Sequence, residues 1–159
     1  MAYTTIDDPS AYFQNALHTG TQSSNAITND GNSDLQPDLL WQKVRSHAGT
    51  PVVYDSSRGN TKQIETDDAR VESTQNAMVT SFDSDGFTMG TDTGGNQTDK
   101  TYVTWQWKAN GGTTSSLSSA TVESNTTTAC VRQVNTTAGF SIMTYTADSN
   151  GEQFLEHGL

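Results

Sequence analysis

The chain has 159 residues, enough for one domain with a sizeable hydrophobic core. Its 18 acidic and 8 basic residues give a formal net charge of -10, which disfavours contact with nucleic-acid phosphates and with anionic membrane surfaces. The single cysteine, Cys130, excludes an intramolecular disulfide and a cysteine-based zinc site. Few charged residues together with many Ser and Thr residues are typical of a β protein rather than of a charged disordered chain.

The N-terminal part predicts an arm followed by a first strand. Residues 1–10 are polar and end in a turn or helix-start signal, and we expect them to form an N-terminal arm or attachment segment. The start lacks the pattern of a secretory signal, and no later run reaches membrane-spanning length. The run Ala11 to Thr19 predicts a strand, with a short helix after Pro9 as the alternative. Residues 20–34 predict a loop with a short strand near Ile27.

The next segment predicts an antiparallel hairpin. Two β-type runs, Leu39 to Val44 and Val52 to Asp55, are separated by polar residues that include Pro51. Ser56 to Asn60 closes this hairpin as a turn. The polar stretch from Thr61 to Gln75 predicts a surface excursion.

The densest strand signal runs from Ala77 to Gly112. A strand up to Phe82 and a return from Phe87 flank a turn over Asp83 to Gly86. After a loop over residues 90–100, the strand Tyr102 to Lys108 alternates apolar and polar residues. Because apolar side chains normally face the core, this alternation predicts that the tryptophan face points inward. The resulting core prediction comprises Trp41, Val53, Phe82, Phe87, Val103, Trp105, Trp107, Phe140 and Ile142.

The C-terminal part predicts a linker and the start of a second module. Residues 113–137 form a Ser/Thr-rich linker with a strand near Val131, and residues 138–159 open a second module like that of residues 11–112. The alternative is a chance match. Four positions recur at the same spacing in the two segments: Phe13, His18, Thr19 and Gly20 against Phe140, Tyr145, Thr146 and Ala147.

Candidate chemical groups do not form a recognisable active site. Asp83 to Gly86 has the spacing of the start of a calcium loop but lacks the closing glutamate, so a hairpin turn is the better interpretation. His18, His47 and His157 have no partners at metal-ligand spacing. Cys130 lies in a strand-like run, and we interpret it as a small buried hydrophobic residue. No serine lies in a nucleophile elbow, and the acids at Asp67, Asp68, Asp83 and Asp85 cannot be paired across a cleft from sequence.

Aromatic residues offer the other possible site. Trp105 and Trp107 could stack on sugars or bases, but their alternation favours core packing, and Trp41 has the same ambiguity. Tyr54 and Tyr102 are the better candidates for ligand contact. We assign no catalytic, metal-binding or cofactor-binding residues, and the ligand-binding residues stay unknown.

A combination of motifs resembles a module of tail-fibre-like structural proteins of bacteriophages, many of them marine. The resemblance covers nearly the whole chain and rests on these runs in order: Tyr12-Phe13, Thr19-Gly20-Thr21, Gln36-Pro37-Asp38-Leu39-Leu40-Trp41-Gln42-Lys43, Tyr54-Asp55-Ser56-Ser57-Arg58-Gly59, Ser81-Phe82-Asp83-Ser84-Asp85-Gly86-Phe87 and Thr101-Tyr102-Val103-Thr104-Trp105-Gln106-Trp107-Lys108-Ala109. In that family the module is often tandem, and its second copy contains a run like His157-Gly158-Leu159. The chain departs from the usual pattern at Gln42 and Gln106.

The residues and the resemblance together predict an all-β antiparallel β-sandwich of lectin-like or jelly-roll type, with an incomplete second repeat at the C-terminus. The function that the resemblance implies is that of a virion structural protein, in a tail fibre or appendage, without enzymatic activity. The expected partners are other virion proteins, further copies in a homotrimer, and a host surface glycan, whereas nucleic acid and membrane are not expected. A capsid decoration protein and a glycan-binding lectin module are the alternatives.

Overall fold

The computed structural model of the chain describes residues 6–122, 125–147 and 152–159. The regular secondary structure of these residues is almost entirely antiparallel strand; their two helices are single turns, and neither could span a membrane. A 3-10 helix, Pro9–Ala11, precedes the first strand, and a short α-helix, α1, covers Thr93–Asn96. The strands are β1 Phe13–Thr19, β2 Asn25–Thr28, β3 Leu39–Val44, β4 Val52–Asp55, β5 Gly59–Glu65, β6 Ser73–Thr74, β7 Val79–Asp83, β8 Gly86–Met89, β9 Thr101–Trp107, β10 Ser115–Leu117, β11 Thr121–Val122, β12 Asn125–Thr126, β13 Cys130–Asn135 and β14 Phe140–Tyr145.

Two antiparallel sheets pack face to face and confirm the predicted β-sandwich. The larger sheet has the order β1-β9-β3-β4-β5-β6, and the smaller sheet has the order β2-β8-β7. The chain crosses between them from β1 to β2, from β2 to β3, from β6 to β7 and from β8 to β9. The hairpin of β3 and β4 was predicted with the bounds that the structure has.

The core lies between the two sheets. Phe87, Val79 and Met89 of the smaller sheet meet Leu40 and Tyr54 of the larger one, and all five are fully buried. Burial of side chains of this size contributes about 1.5–3 kcal/mol each to the hydrophobic stabilisation. The cluster of buried residues comprises Ile27, Leu40, Val52, Tyr54, Met78, Val79, Phe87 and Met89, with Ala16 and Phe82 packed against it.

Turn chemistry explains two of the hairpins. Gly86 adopts a φ of 111°, and a Cβ there would lie 2.0 Å from the carbonyl oxygen of Ile27, so glycine is required where β8 starts beside β2. The predicted turn is present: Asp83 accepts hydrogen bonds from Ser81 and Thr88 within the hairpin, and Asp85 accepts one from the backbone N–H of Leu35, in the segment before β3. The calcium alternative is therefore not needed to explain these acids.

The second of these turns joins β4 to β5. Asp55 Oδ1 accepts from the backbone N–H groups of Ser57 and Arg58, and Asp55 Oδ2 pairs with the Arg58 guanidinium at 2.6 Å. The turn returns the chain into β5, which is a strand of the larger sheet rather than the predicted surface excursion. The polar side chains of β5 suggest a position at the surface. Gln63 is nevertheless buried, because it accepts a hydrogen bond from the Tyr54 hydroxyl at 2.5 Å.

The N-terminal segment is fixed at Asp8. The Asp8 carboxylate caps the 3-10 helix through the backbone N–H of Ser10 and also accepts from the hydroxyls of Ser10 and Ser33. These hydroxyls lower the pKa of Asp8, that of Ser10 most strongly. The predicted strand and its alternative, a short helix after Pro9, are both present, because the helix leads directly into β1. Of the predicted arm at residues 1–10, residues 1–5 lie outside the described residues.

The C-terminal segment forms a separate three-stranded sheet, in the order β10-β13-β14, with Cys130 and Ile142 buried. Cys130 is thus the small buried hydrophobe that its sequence context predicts. Part of the predicted linker, Ser115–Leu117, is strand β10 of this sheet. β14 begins at Phe140 as β1 begins at Phe13, which agrees with the proposed alignment of the two segments. The second repeat itself stays a prediction. Residues 148–151 lie outside the described part of the chain.

Candidate functional site

The tryptophan strand turns its apolar face away from the core, which makes the central core prediction wrong. Along β9 the buried residues are Tyr102, Thr104 and Gln106, each 0% exposed, whereas the tryptophan side is only partly buried. The smaller sheet covers the side of the larger sheet on which Tyr102 lies, and it leaves the other side open. We call that other side, on β1, β9, β3, β4 and β5, the outer face. Its apolar members are Phe13, Leu17, Leu39, Trp41, Val53, Ile64, Val103, Trp105 and Trp107.

Polar partners explain most of the burial of the Gln/Thr side of β9, although Gln106 Oε1 has no partner among the described residues. Gln106 Nε2 donates to Asn29 Oδ1 at 2.7 Å, and the Tyr102 hydroxyl accepts from the backbone N–H of Gln97 at 2.9 Å. A buried polar group costs little when it is hydrogen-bonded. The predicted ligand contacts at Tyr54 and Tyr102 are also wrong, because both side chains are fully buried in the sandwich.

Aromatic pairs organise the outer face. Strand register places Trp41 directly opposite Trp105, with ring centroids 5.4 Å apart and a tilt of 47°. Trp107 lies between Phe13, at 5.0 Å, and Phe140 of β14, at 6.2 Å. Contacts at these distances favour defined ring orientations. The face is therefore an ordered surface, and the C-terminal sheet contacts one end of it.

A shallow groove of about 420 Å³ runs along this surface. Its walls are Leu39, Trp41, Val53, Thr66, Trp107 and Phe140. Trp41 remains 38% exposed beside it, and Leu17 at the β1 edge is 64% exposed. Contiguous exposed apolar surface of this kind marks contact sites more often than isolated exposed residues do.

The outer face carries little charge, although the whole chain is strongly acidic. The outward positions of β1, β9 and β3 contain no acidic residue, and their only charge is Lys43. The Lys43 ammonium is already bound to the backbone carbonyls of Val44 and Gly49. A second surface can therefore approach these three strands without meeting acidic repulsion, and Lys62, at the outward position next to Ile64 on β5, adds a second positive charge to the face.

The junction with the C-terminal sheet is built on Asp38 and Gln133. Asp38 is fully buried, and its carboxylate accepts from the backbone N–H groups of Ala109, Gly111 and Gly112 and from the Ser56 hydroxyl at 2.6–2.9 Å. The buried Gln133 of β13 accepts from the Gly112 N–H and donates to Ser56 Oγ and to Ser57. One hydrogen-bond network thus attaches the C-terminal sheet to the sandwich, and it brings Phe140 against the outer face.

Groups with possible chemical roles are not brought together. The described residues contain no cluster of three or more His, Cys, Asp or Glu side chains that could hold a metal ion. Cys130 is buried in the C-terminal sheet, and Asp83 and Asp85 serve a turn. His18 was expected at the surface or at a strand end; it is near the end of β1, but its ring points inward between Phe87 and Tyr102.

His18 gives a pH-dependent prediction. Burial lowers the pKa of His18 from 6.5 to about 4, and both ring nitrogens lack partners among the described residues. The unfolded chain binds this proton below pH 6.5 while the folded chain does not. The stabilisation is therefore complete above pH 6.5 and is lost as the pH falls towards 4, by about 3 kcal/mol in all. A His18→Phe variant should lack this loss when urea unfolding of both proteins is compared at pH 7 and pH 4.5; equal pH dependence would contradict it.

Comparison with known proteins gives one match. Residues 8–159 match the family described as Domain of unknown function (DUF7483). No curated protein and no solved structure matches the chain.

Proposed function

We propose that this chain, which belongs to the DUF7483 family, is a structural component of bacteriophage particles, in a tail fibre or a similar appendage. The motif resemblance over nearly the whole chain suggests that the protein is part of a phage particle. The observation that carries the proposal is the outer face, an aromatic surface without an acidic residue at the outward positions of β1, β9 and β3, on a chain of net charge -10. In this role the outer face is the surface that neighbouring subunits cover during assembly.

The size of the outer face bears on how it would be used. Its five strands, about 4.8 Å apart, and the seven residues of β9, at about 3.3 Å each, give a surface of roughly 500 Å². This flat footprint does not count the sides of protruding side chains, and it is at the small end of interfaces in which each partner buries roughly 800 Å² of accessible surface. One such contact is weak, but repeated contacts within a particle reinforce one another. The small area of the outer face therefore favours a homotrimer that is stabilised inside an appendage over a tight trimer of the isolated chain.

Host-surface attachment is the further role that an appendage implies. A glycan-binding module is the second candidate function, and it uses the same surface. Trp41 is partly exposed and tilted against Trp105, and the exposed Asn15 lies directly opposite Trp105 on β1. An aromatic platform beside an amide suits the apolar face and the hydroxyl groups of a sugar. Binding on a glycan array that Trp41→Ala abolishes would favour this role over assembly alone.

The location of the chain in purified particles tests the proposal. Mass spectrometry of purified particles should detect the chain, and gold-labelled antibodies should mark the tail appendages in electron micrographs. Label on the head lattice would instead identify a capsid decoration protein. Absence of the chain from particles that contain all other structural proteins would contradict both roles in the virion.

A further inference from the structure

The C-terminal tail presents an exposed aromatic side chain between two acids. Exposure alternates along residues 152–156: Glu152, Phe154 and Glu156 are exposed, whereas the two residues between them are half-buried. This period of two indicates an extended segment, and Phe154 pairs with Thr127 in a parallel β-bridge. The Phe154 side chain is 41% exposed and stacks on no other ring of the described residues. We call Glu152, Phe154 and Glu156 the tail ridge.

The outer face has the complementary arrangement, an apolar groove between two cations. Strand register places Lys43 on β3, Val53 on β4 and Lys62 on β5 along one diagonal of the larger sheet, with Val53 midway. Val53 lines the groove of about 420 Å³ together with Trp41 and Trp107. Neither lysine forms an ion pair within the described part of the chain. On a chain of net charge -10, this pattern favours a partner surface that is acidic and aromatic.

The spacing of the tail ridge matches that of the groove. In an extended segment, Glu152 and Glu156 are about 13 Å apart, with Phe154 midway between them. Lys43 and Lys62 are about 13 Å apart along the strands and about 10 Å across them, which gives about 16 Å. Lysine and glutamate side chains are long and flexible enough to cover this difference. Phe154 therefore fits over the groove while each glutamate faces one lysine.

The charges of the ridge are available for such a contact. Glu152 forms no ion pair with any described residue. Glu156 is 3.5 Å from the Arg132 guanidinium, but its side chain remains 55% exposed. An exposed pair of this kind contributes little on its own, so Glu156 can turn towards a second cation at small cost.

The tail lies on the far side of the C-terminal sheet from the groove of its own copy. A Cβ on Gly158 would be 2.9 Å from Arg132 Cζ and 3.0 Å from Val134 Cγ2, so the tail packs on the side of β13 that carries these two residues. Gln133, between them, points to the opposite side, where it donates to Ser56 of the sandwich. The copy that supplies the ridge to a given groove is therefore a neighbour.

We infer that the tail ridge of one copy docks on the outer face of the next copy, with Phe154 in the groove and the two glutamates facing Lys43 and Lys62. The inference rests on the proposed function, in which copies of the chain cover the outer face, and it names the surface that covers it. Because the two surfaces differ, the contact is heterologous. Such a contact forms a ring where the rotation between copies closes, and a filament where it does not. A threefold homotrimer is one such ring.

Zero-length cross-linking with a carbodiimide tests this contact, because the reagent joins a carboxylate to an amine only where the two groups touch. Intact particles are treated, oligomers of the chain are isolated on a denaturing gel, and the joined peptides are identified by mass spectrometry. We expect cross-links from either glutamate of the tail ridge to either lysine beside the groove. The other two lysines of the chain, Lys100 and Lys108, serve as internal controls and should not be joined to the ridge.

Replacing Phe154 by serine tests the aromatic part of the contact. Phe154→Ser should lower the yield of these cross-links per incorporated chain about tenfold, or keep the variant out of particles, because it removes the anchor from the groove. Val71→Ser is the matched control: Val71 is another exposed apolar residue, 88% exposed, that belongs to neither surface, and its variant should behave as the wild type does.

The inference is overturned if the ridge glutamates are joined only to Lys100, to Lys108 or to other proteins of the particle, or if Phe154→Ser gives the wild-type yield. It is also overturned if Trp41 and Trp105 are shielded in particles that give no cross-link between ridge and groove; the assembly role would then stand with a different partner. Tryptophans that stay exposed in particles would contradict the assembly role and this inference with it.

Discussion

Replacing Asp38 by alanine is expected to lower the free energy of unfolding by about 3–5 kcal/mol, since it removes a buried charge that three backbone N–H groups share. Asp38 joins the start of β3 to the turn after β9 and, through Ser56, to the turn between β4 and β5. Its main chain also takes part, since its N–H donates to Trp107 and its carbonyl accepts from Ser56. Without the carboxylate, the buried N–H of Ala109 and the N–H of Gly111 lose this acceptor, and the N–H of Gly112 is left with Gln133 alone.

Urea unfolding followed by circular dichroism measures this effect. Asp38→Asn retains one of the two oxygens and should lose about half as much stability as Asp38→Ala, so the comparison stays informative if the alanine variant does not fold. Asp34→Ala, at an exposed acid nearby, is the control and should change stability by less than about 0.5 kcal/mol. A loss below about 1 kcal/mol for Asp38→Ala would show that the network does not hold these turns.

Replacing Trp41 by threonine is expected to reduce incorporation of the chain into particles by about tenfold or more, while the fold is retained. Central aromatic residues of an interface commonly contribute 2 kcal/mol or more to binding, which corresponds to about thirtyfold in affinity. Threonine keeps the β-strand preference at this position. Trp41 is outside the core, so its loss should leave a single cooperative unfolding transition in urea.

Competition between tagged variant and wild-type chains in one assembly reaction measures this incorporation. Val71→Thr provides the matched control, because Val71 is 88% exposed but lies outside the outer face, and it should be incorporated as the wild type is. Equal incorporation of folded Trp41→Thr and wild-type chains would remove Trp41 from the assembly surface.

The sequence predicts β3, β4, β7, β8 and β9 well because alternation and turn residues are local signals. β3 and β4 have the predicted bounds, and the turn from Asp83 to Gly86 follows from side chains that hydrogen-bond within the hairpin. Gly86 is placed correctly for the same reason, since a turn position with positive φ favours glycine.

The side of the larger sheet that faces the core could not be predicted from the sequence. Alternation along β9 separates two faces, and apolarity alone selects the side of Trp105. The chain buries the other side because distant residues bond to its polar groups, as Asn29 does with the amide nitrogen of Gln106 across the sandwich. Such partners depend on tertiary structure and leave no signal in the strand itself. The same reason applies to Gln63 in β5.

The sequence does not predict the outer face as a contact surface, for a related reason. The sequence identifies Trp41, Trp105 and Trp107 as a possible stacking platform, but alternation assigns them to the core. The structure places them on the outer face instead.

Radical footprinting of the tryptophans tests the central claim, that subunits of a particle cover the outer face. Intact particles and the isolated chain are exposed to hydroxyl radicals, and the oxidation of Trp41 and Trp105 is quantified by mass spectrometry; chain released from dissociated particles is the control. We predict that both residues are protected in intact particles and become reactive again on release. Equal oxidation of Trp41 and Trp105 in particles and in the isolated chain would contradict the account.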